Sequence, residues 1–146
     1  VKIVILQVGK TKDTAALELE KEFLKRLGAF CDLTTITVKT SDQTTENHDL
    51  QSKIPEGHTL VALDLTGKQM TSEKFAEFLE KQRDLEGGKL CFIVGGPHGF
   101  TPETLALADH SLSLSKMTFT HQMVRLFLLE QIYRGFMIVE GRKYHY

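Results

Sequence analysis

Two pairs of side chains near the end of this 146-residue chain have the types and spacing for acid–base or anion chemistry. His121 and Arg125 stand four residues apart, and so do Glu130 and Arg134. On a helix that spacing places the members of each pair about 40° from one another, and the two pairs lie on roughly opposite sides. Such pairs commonly serve as ion pairs within a fold. Here they also lie between a glycine loop and an aromatic tail, Tyr144-His145, which makes a substrate role worth testing. The glycine loop is Gly95-Gly96-Pro97-His98-Gly99, and it follows the apolar run Leu90-Cys91-Phe92-Ile93-Val94. Adjacent glycines after a buried strand let a ligand approach the backbone, whose N–H and C=O groups can then read a planar ring or a carboxylate. The loop lacks the G-x-G-x-x-G spacing of a dinucleotide-binding turn and the Gly-Lys-Ser/Thr of a phosphate loop. There is no HExxH, no nucleophile elbow and no paired-cysteine motif. The six histidines show no ligand spacing, so no metal is expected.

A second apolar-alternating run, Leu112-Ser113-Leu114-Ser115-Lys116-Met117-Thr118-Phe119, empties into a polar loop soon afterwards. In an open α/β sheet, ligands sit where strands end in such loops. The two loops are therefore expected to form one ligand site.

The elements that must position them alternate along the chain. Residues 2–8 form an almost unbroken apolar strand, and Gly9 to Asp13 is the turn after it. A helix is predicted from Thr14 to Leu27, stopped at Gly28. Cys31 to Val38 alternates as a second strand. Thr40 to His48 is polar and turn-like, and a short helix is predicted over Leu50–Ile54 before Pro55. His58 to Leu65 is the third strand, and it runs out in Asp64-Leu65-Thr66-Gly67-Lys68. Ser72 is suited to cap a helix reaching Glu86, and Gly87-Gly88 ends it. Lys89 to Val94 is the fourth strand. Thr101-Pro102-Glu103 marks a helix start, and that short helix runs to Ala108. His110 to Leu114 is the fifth strand, and Thr120 begins a long helix to Val139. Strand–helix alternation argues a single α/β domain over residues 1–146, with a mainly parallel sheet and helices on both faces. The last helix is apolar in nearly every direction, which predicts burial on all sides and a homodimer built partly upon it.

Composition bounds the class. Hydrophobic residues make up 41% and charged residues 25%, as in ordinary globular proteins. No run approaches the roughly 18 apolar residues of a membrane span, and Val1–Leu6 reads as a strand rather than a leader peptide. Cys31 and Cys91 both lie in apolar runs and read as reduced core thiols of a cytoplasmic protein. Net charge is −1, so the whole chain does not announce a nucleic-acid binder. From Lys116 onward five basic residues face two acidic ones, a local excess that could make a phosphate footprint.

Three stretches together resemble a known family. They are Leu63-Asp64-Leu65-Thr66-Gly67-Lys68, then Phe92-Ile93-Val94-Gly95-Gly96-Pro97-His98-Gly99, then Leu112 through Leu126 with its Leu-Ser-x-Ser-x-Met-Thr-Phe-x-His-Gln-Met-x-Arg pattern. Glu130-Gln131-Ile132-Tyr133-Arg134 and the Tyr144-His145 tail continue the match. Order, spacing and length resemble the RlmH (YbeA-like) family of SPOUT methyltransferases. The resemblance implies a SPOUT-type α/β fold with a C-terminal trefoil knot, although threaded chains are otherwise very rare. It implies methyl transfer from S-adenosyl-L-methionine to N3 of a pseudouridine in 23S ribosomal RNA, by a homodimer acting on the assembled ribosome. Carried onto this chain, the cofactor residues are Leu63, Gly95, Leu114, Ser115, Lys116, Met117, Thr118 and Phe119. On the substrate side it implies His121, Arg125, Glu130, Arg134, Tyr144 and His145. His121 or His145 has the right type to accept the N3 proton, and Arg125 or Arg134 the right type to stabilise a developing oxyanion. The stretch around Thr40–Ile54 looks shorter than in the family. Alternatives are a non-catalytic RNA- or ribosome-binding module of the same fold, a methyltransferase acting on transfer RNA, and a flavodoxin-like nucleotide binder.

Overall fold

The computed structural model describes residues 1–146. Five strands, β1 (Lys2–Val8), β2 (Asp32–Val38), β3 (Thr59–Gln69), β4 (Lys89–Val94) and β5 (His110–Ser113), form one sheet in the order β2-β1-β4-β3-β5. Every pairing is parallel. Five helices connect and follow them: α1 (Thr14–Leu27), α2 (Gln43–Lys53), α3 (Ser72–Leu85), α4 (Pro102–Leu107) and α5 (His121–Val139).

Side chains alternate across each strand and build two cores. Ile3, Ile5, Val61, Leu63, Leu90, Phe92 and Val94 pack with Leu27 of α1, Phe75 and Leu79 of α3, and Leu128, Ile132 and Phe136 of α5. Leu6, Val8, Leu60, Ala62, Cys91 and Ile93 face the other way, onto Leu50 of α2 and Leu105 of α4. The division follows from handedness. The connections through α1 and α3 move in one direction along the strand order, and those through α2 and α4 in the other. Right-handed crossovers then send the two sets to opposite faces. All strands point the same way, so their C-terminal ends share one edge of the sheet.

The structure departs from the sequence reading at three places. The polar stretch Thr40–His48 is not a turn followed by a short helix. Asp42 caps α2 by accepting from Thr45 N at 2.8 Å, and the helix runs unbroken to Lys53. Its Glu46 and Asn47 are buried, so their polarity does not mark a solvated face. Strand β3 continues past Leu65 to Gln69. Leu63 and Lys68 both pair with Leu112, so residues 64–67 loop out between two rungs. The cap of α3 is Thr71, whose Oγ accepts from Lys74 N, while Ser72 Oγ donates to Gln131 Oε1 at 2.8 Å.

Helix α5 lies over the sheet between α1 and α3. Gly135 lets α3 approach closely, since a Cβ there would stand 2.6 Å from Leu79 Cδ1. Tyr133 and Phe136 pack on Phe23 and Phe30 near α1. One protomer therefore buries most of the apolar girth that the sequence shows, leaving Met123 exposed and Phe127 half-buried. Cys91 is enclosed in the sheet and Cys31 is half-buried, and burial pushes their thiols up to about 12 and about 11. No helix is long and apolar enough to cross a membrane.

Candidate active site

Three loops at the C-terminal edge enclose a cleft. The looped-out segment of β3 supplies Leu63, Asp64 and Leu65. The glycine loop after β4 supplies Gly95, Gly96, Pro97 and Gly99, and the segment after β5 supplies Leu114, Ser115, Met117, Thr118 and Phe119. Strands β4 and β3 are neighbours whose outgoing connections leave for opposite faces, which opens a crevice between them. Of the cofactor residues expected from the sequence, Leu63, Gly95, Leu114, Ser115, Met117, Thr118 and Phe119 line this cleft. Lys116 is exposed and lies outside its wall. The segment after β5 holds its shape through its own serines. Ser113 Oγ donates to Ser115 O at 2.9 Å, and Ser115 Oγ accepts from Met117 N at 3.0 Å.

The glycine loop rests on α2. Asn47 Nδ2 donates to Gly99 O at 3.0 Å, and its Oδ1 accepts from Thr101 N at 2.9 Å. Gln43 Nε2 donates to His98 O at 2.9 Å. Glu46 lies beneath Gly96, where an added Cβ would stand 2.8 Å from Glu46 Oε1 and 2.9 Å from Val8 Cγ1. Gly99 adopts φ +73°, a conformation that favours glycine. Sequence reasoning missed Gln43, Glu46 and Asn47 as supports. The readable signal was the Asp42 cap three residues before Thr45, which starts a helix where polarity alone suggests a loop. Asn47→Ala leaves the half-buried Thr101 N–H and Gly99 C=O without their partner, at about 1–2 kcal/mol. Chemical denaturation should show that loss, and hydrogen exchange should rise first in residues 96–101.

Arg125 does not reach the cleft. Its guanidinium is buried, donating to Val8 O and, at 3.2 Å, to Thr11 Oγ. Thr11 Oγ donates in turn to Glu20 Oε1 at 2.5 Å. Arg125 thereby ties α5 to the end of β1 and to α1. His121, one turn earlier, does line the cleft. Burial, then the Arg125 charge, lowers its pKa below the ordinary histidine value, while Glu46 opposes the shift. The imidazole is therefore neutral and able to accept a proton at pH 7. Because the folded pKa is the lower one, His121 contributes stability above its unfolded value, lost as pH falls through the folded value. An NMR titration should place its midpoint below 6.5.

The remaining candidates form a second cluster. Glu130 Oε1 accepts from Arg134 Nε at 3.0 Å, from Arg134 Nη2 at 2.5 Å and from the Tyr144 hydroxyl at 3.1 Å. Arg134 Nη1 donates to His145 Nδ1 at 3.1 Å, and His145 Nε2 donates to Glu73 Oε1 at 2.6 Å. Both ring nitrogens of His145 are thus occupied in this conformation. The hydrogen bond to Glu130 raises the Arg134 pKa. Burial, then Glu130, raises that of the Tyr144 phenol, which remains a donor. The structure so brings Glu130, Arg134, Tyr144 and His145 together and separates them from His121 and Arg125. No group of three or more His, Cys, Asp or Glu side chains is placed to hold a metal.

The fold and cleft define an open parallel α/β protein with a cleft at the C-terminal ends of β3, β4 and β5. Residues 1–145 match the family model described as "Predicted SPOUT methyltransferase", and the chain belongs to that family of methyltransferases. It is 38% identical to the ribosomal RNA large subunit methyltransferase H of Clostridium beijerinckii, over 98% of each chain. It is 41% identical to the protein of the same name from Geobacter sp. strain M21, over 97% of each. Among solved structures, it superposes with TM-score 0.55 on a probable methylase family protein from Haemophilus influenzae. That match is at 13% identity and covers 95% of this chain and 66% of the other. The likeness supports the fold.

Proposed function

We propose that this protein methylates N3 of a pseudouridine in 23S ribosomal RNA, using S-adenosyl-L-methionine, and acts on the assembled ribosome as a homodimer. The observation that carries the cofactor assignment is the convergence of Leu63, Gly95 and the Leu114–Phe119 loop on one cleft. The fit has a physical basis. Gly96 packs so tightly on Val8 and Glu46 that a side chain there would displace the loop that walls the cleft. Leu63, Leu65 and Leu114 offer apolar contact to a flat ring. When bound there, the cofactor supplies an electrophilic methyl group. The ribosomal substrate is supported by the full-length similarity to large-subunit methyltransferases. The dimer is supported by exposed Met123 and half-buried Phe127 on a helix whose other sides are packed. The cytoplasmic location and the knotted C-terminal path belong to the same proposal.

The chain's own work is positioning and proton management. Neutral His121, in the cleft wall, accepts the N3 proton so that the nitrogen pair can attack. Arg125 acts behind it. Its charge adds to burial in lowering the imidazole pKa, and its contacts hold the helix start against β1. Arg134 supplies the positive charge on the substrate side, oriented by Glu130.

The test is transfer of labelled methyl from S-adenosyl-L-methionine to ribosomes that lack this methyl group, beside ribosomes that lack the pseudouridine. Label in the large-subunit RNA of the first sample alone is the expected result. Label in transfer RNA, or cofactor binding without transfer, would overturn the proposal.

A further inference from the structure

Three exposed lysines lie on the turns that leave the sheet at the edge carrying the cleft. Lys10 and Lys12 follow β1, and Lys39 follows β2. None of the three forms an ion pair within the chain. The strand order β2-β1-β4 sets these turns in a row that leads to the glycine loop. Neighbours in the row touch. Gly9 N donates to Val38 O at 2.8 Å, and the Val8 side chain packs against Gly96 in the cleft wall.

The β1–α1 turn is fastened to the start of α5. Arg125 donates to Val8 O and, at 3.2 Å, to Thr11 Oγ, while Asp13 N donates to Gln122 Oε1 at 3.1 Å. Thr11 is buried, and Lys10 and Lys12 on either side of it are exposed. The turn thus presents two ammonium groups to solvent from a backbone tied to the helix start that brings His121 to the cleft. The acids of the same turns are committed elsewhere. Asp13 Oδ1 accepts from Ala16 N at 2.9 Å and Asp42 Oδ1 from Thr45 N at 2.8 Å, each capping a helix. Beside Lys39, Thr40 and Ser41 are also exposed. The outer face of the row is therefore ammonium and hydroxyl donors without large apolar side chains. Protein interfaces are poor in lysine and serine, whereas these groups are common partners of phosphate oxygens.

Resting on the function proposed above, we infer that Lys39, Lys10 and Lys12 form a phosphate track that holds the backbone of the ribosomal RNA strand whose target nucleotide enters the cleft. Phosphate contacts fix register and carry no sequence information. Because Arg125 and Gln122 tie the turn to α5, a strand held by Lys10 and Lys12 is set in register with His121. These lysines are positioning residues. They supply the unpaired charge that the C-terminal arginines, bound within the fold, do not.

The test compares wild type with Lys10→Gln, Lys12→Gln and Lys39→Gln, singly and together, in methyl transfer to ribosomes and in direct ribosome binding by protein loaded with S-adenosylhomocysteine. Both are measured across a salt series. The combined variant is expected to lose at least about tenfold in kcat/KM through KM, with kcat and cofactor affinity within twofold. The slope of log affinity against log salt should become shallower by about 0.7–1 for each lysine removed. Lys2→Gln and Lys89→Gln, exposed at the opposite edge of the sheet, should change neither KM nor slope. On wild-type protein, acylation of lysine amines should be suppressed by bound ribosome at Lys10, Lys12 and Lys39 and not at Lys2 or Lys89. Unchanged KM and slope in the combined variant would overturn the inference, as would equal acylation of all five lysines with and without ribosome. Loss of cofactor affinity in the lysine variants would also overturn it, assigning the lysines to the cofactor instead of RNA. Wild type that labels transfer RNA alone overturns the proposed function. The phosphate track then stands if the slope change appears on that RNA and falls if it does not.

Discussion

Gly67→Ala is expected to destabilise the protein by about 3 kcal/mol or more, toward the upper end of what overpacking costs. The reason is what the added methyl meets. A Cβ at Gly67 would stand 2.7 Å from Ser111 C and 2.8 Å from Leu112 N. Both are backbone atoms of β5, held in the sheet by pairing with β3, and neither can rotate aside as a side chain does. Either β5 moves outward or the looped-out segment of β3 is remade. Both routes deform the cleft, because Leu63, Asp64 and Leu65 line it from β3 and Leu112, Ser113 and Leu114 from β5. The midpoint of thermal unfolding should fall by roughly 6–12 °C for a chain of this size. Cofactor affinity should weaken at least tenfold. Gly57→Ala is the control. Gly57 has φ +76° with no atom near its Cβ position, so only backbone strain of about 1 kcal/mol is expected there, with no effect on the cleft. Wild-type stability in Gly67→Ala would show that β5 is looser than its pairing implies.

Much of this architecture is legible in the sequence because period and burial coincide. Strands β1 and β4 are central, covered on both faces, and read as continuous apolar runs. Helix α5 reads as buried because its apolar residues circle the axis, and Thr120 caps it where expected. Helix α2 was hidden for the opposite reason. Its Glu46 and Asn47 do not face water. Asn47 and Gln43 spend their amides on the backbone of the glycine loop, and Glu46 fills space beneath it. The extension of β3 was hidden because the loop-out of residues 64–67 interrupts alternation, and only pairing with Leu112 restores it. The cleft-lining loops could be named from the sequence, whereas the separation of the two polar groups could not. His121 and Arg125 are one turn apart, yet one lines the cleft and the other is consumed by Val8 and Thr11.

The basic C-terminal third illustrates the same limit for charge. Its formal excess suggests a phosphate footprint. In the fold, Arg125 is buried, Arg134 is committed to Glu130 and His145, and the Arg142 guanidinium lies 5.3 Å from the centre of the Phe30 ring. Formal charge along a chain counts Arg125 and Arg134 as free when their protein partners already occupy them. The contribution of Arg134 must therefore be local and geometric rather than a long-range attraction to RNA.

That geometry makes Arg134→Ala the second large effect. One guanidinium serves two acceptors, Glu130 Oε1 through Nε and Nη2 and His145 Nδ1 through Nη1, and it lies 4.8 Å from the centre of the Tyr144 ring. Removing it takes the cation from Glu130, the donor from His145 and the packing surface from Tyr144, so the tail should detach from α5. Methyl transfer to ribosomes is expected to fall more than 100-fold. Cofactor affinity should not change, because none of these residues lines the cleft. Arg134→Lys should restore less than a tenth of the lost rate, since a single ammonium cannot reproduce a fork between two acceptors. The remaining tethers of the tail are the Tyr144 hydroxyl on Glu130 and His145 on Glu73, and the second of these hydrogen bonds holds the Glu73 carboxyl below its ordinary pKa. A carboxyl lowered in the folded state contributes at neutral pH and loses its contribution as pH falls through the lowered value. Tail detachment in Arg134→Ala should therefore become more complete toward acid pH. Limited proteolysis after Lys143 across a pH series, using a protease active throughout that range, reads this directly. A tail equally protected in wild type and Arg134→Ala would mean that Tyr144 and His145 are held by something other than this arginine.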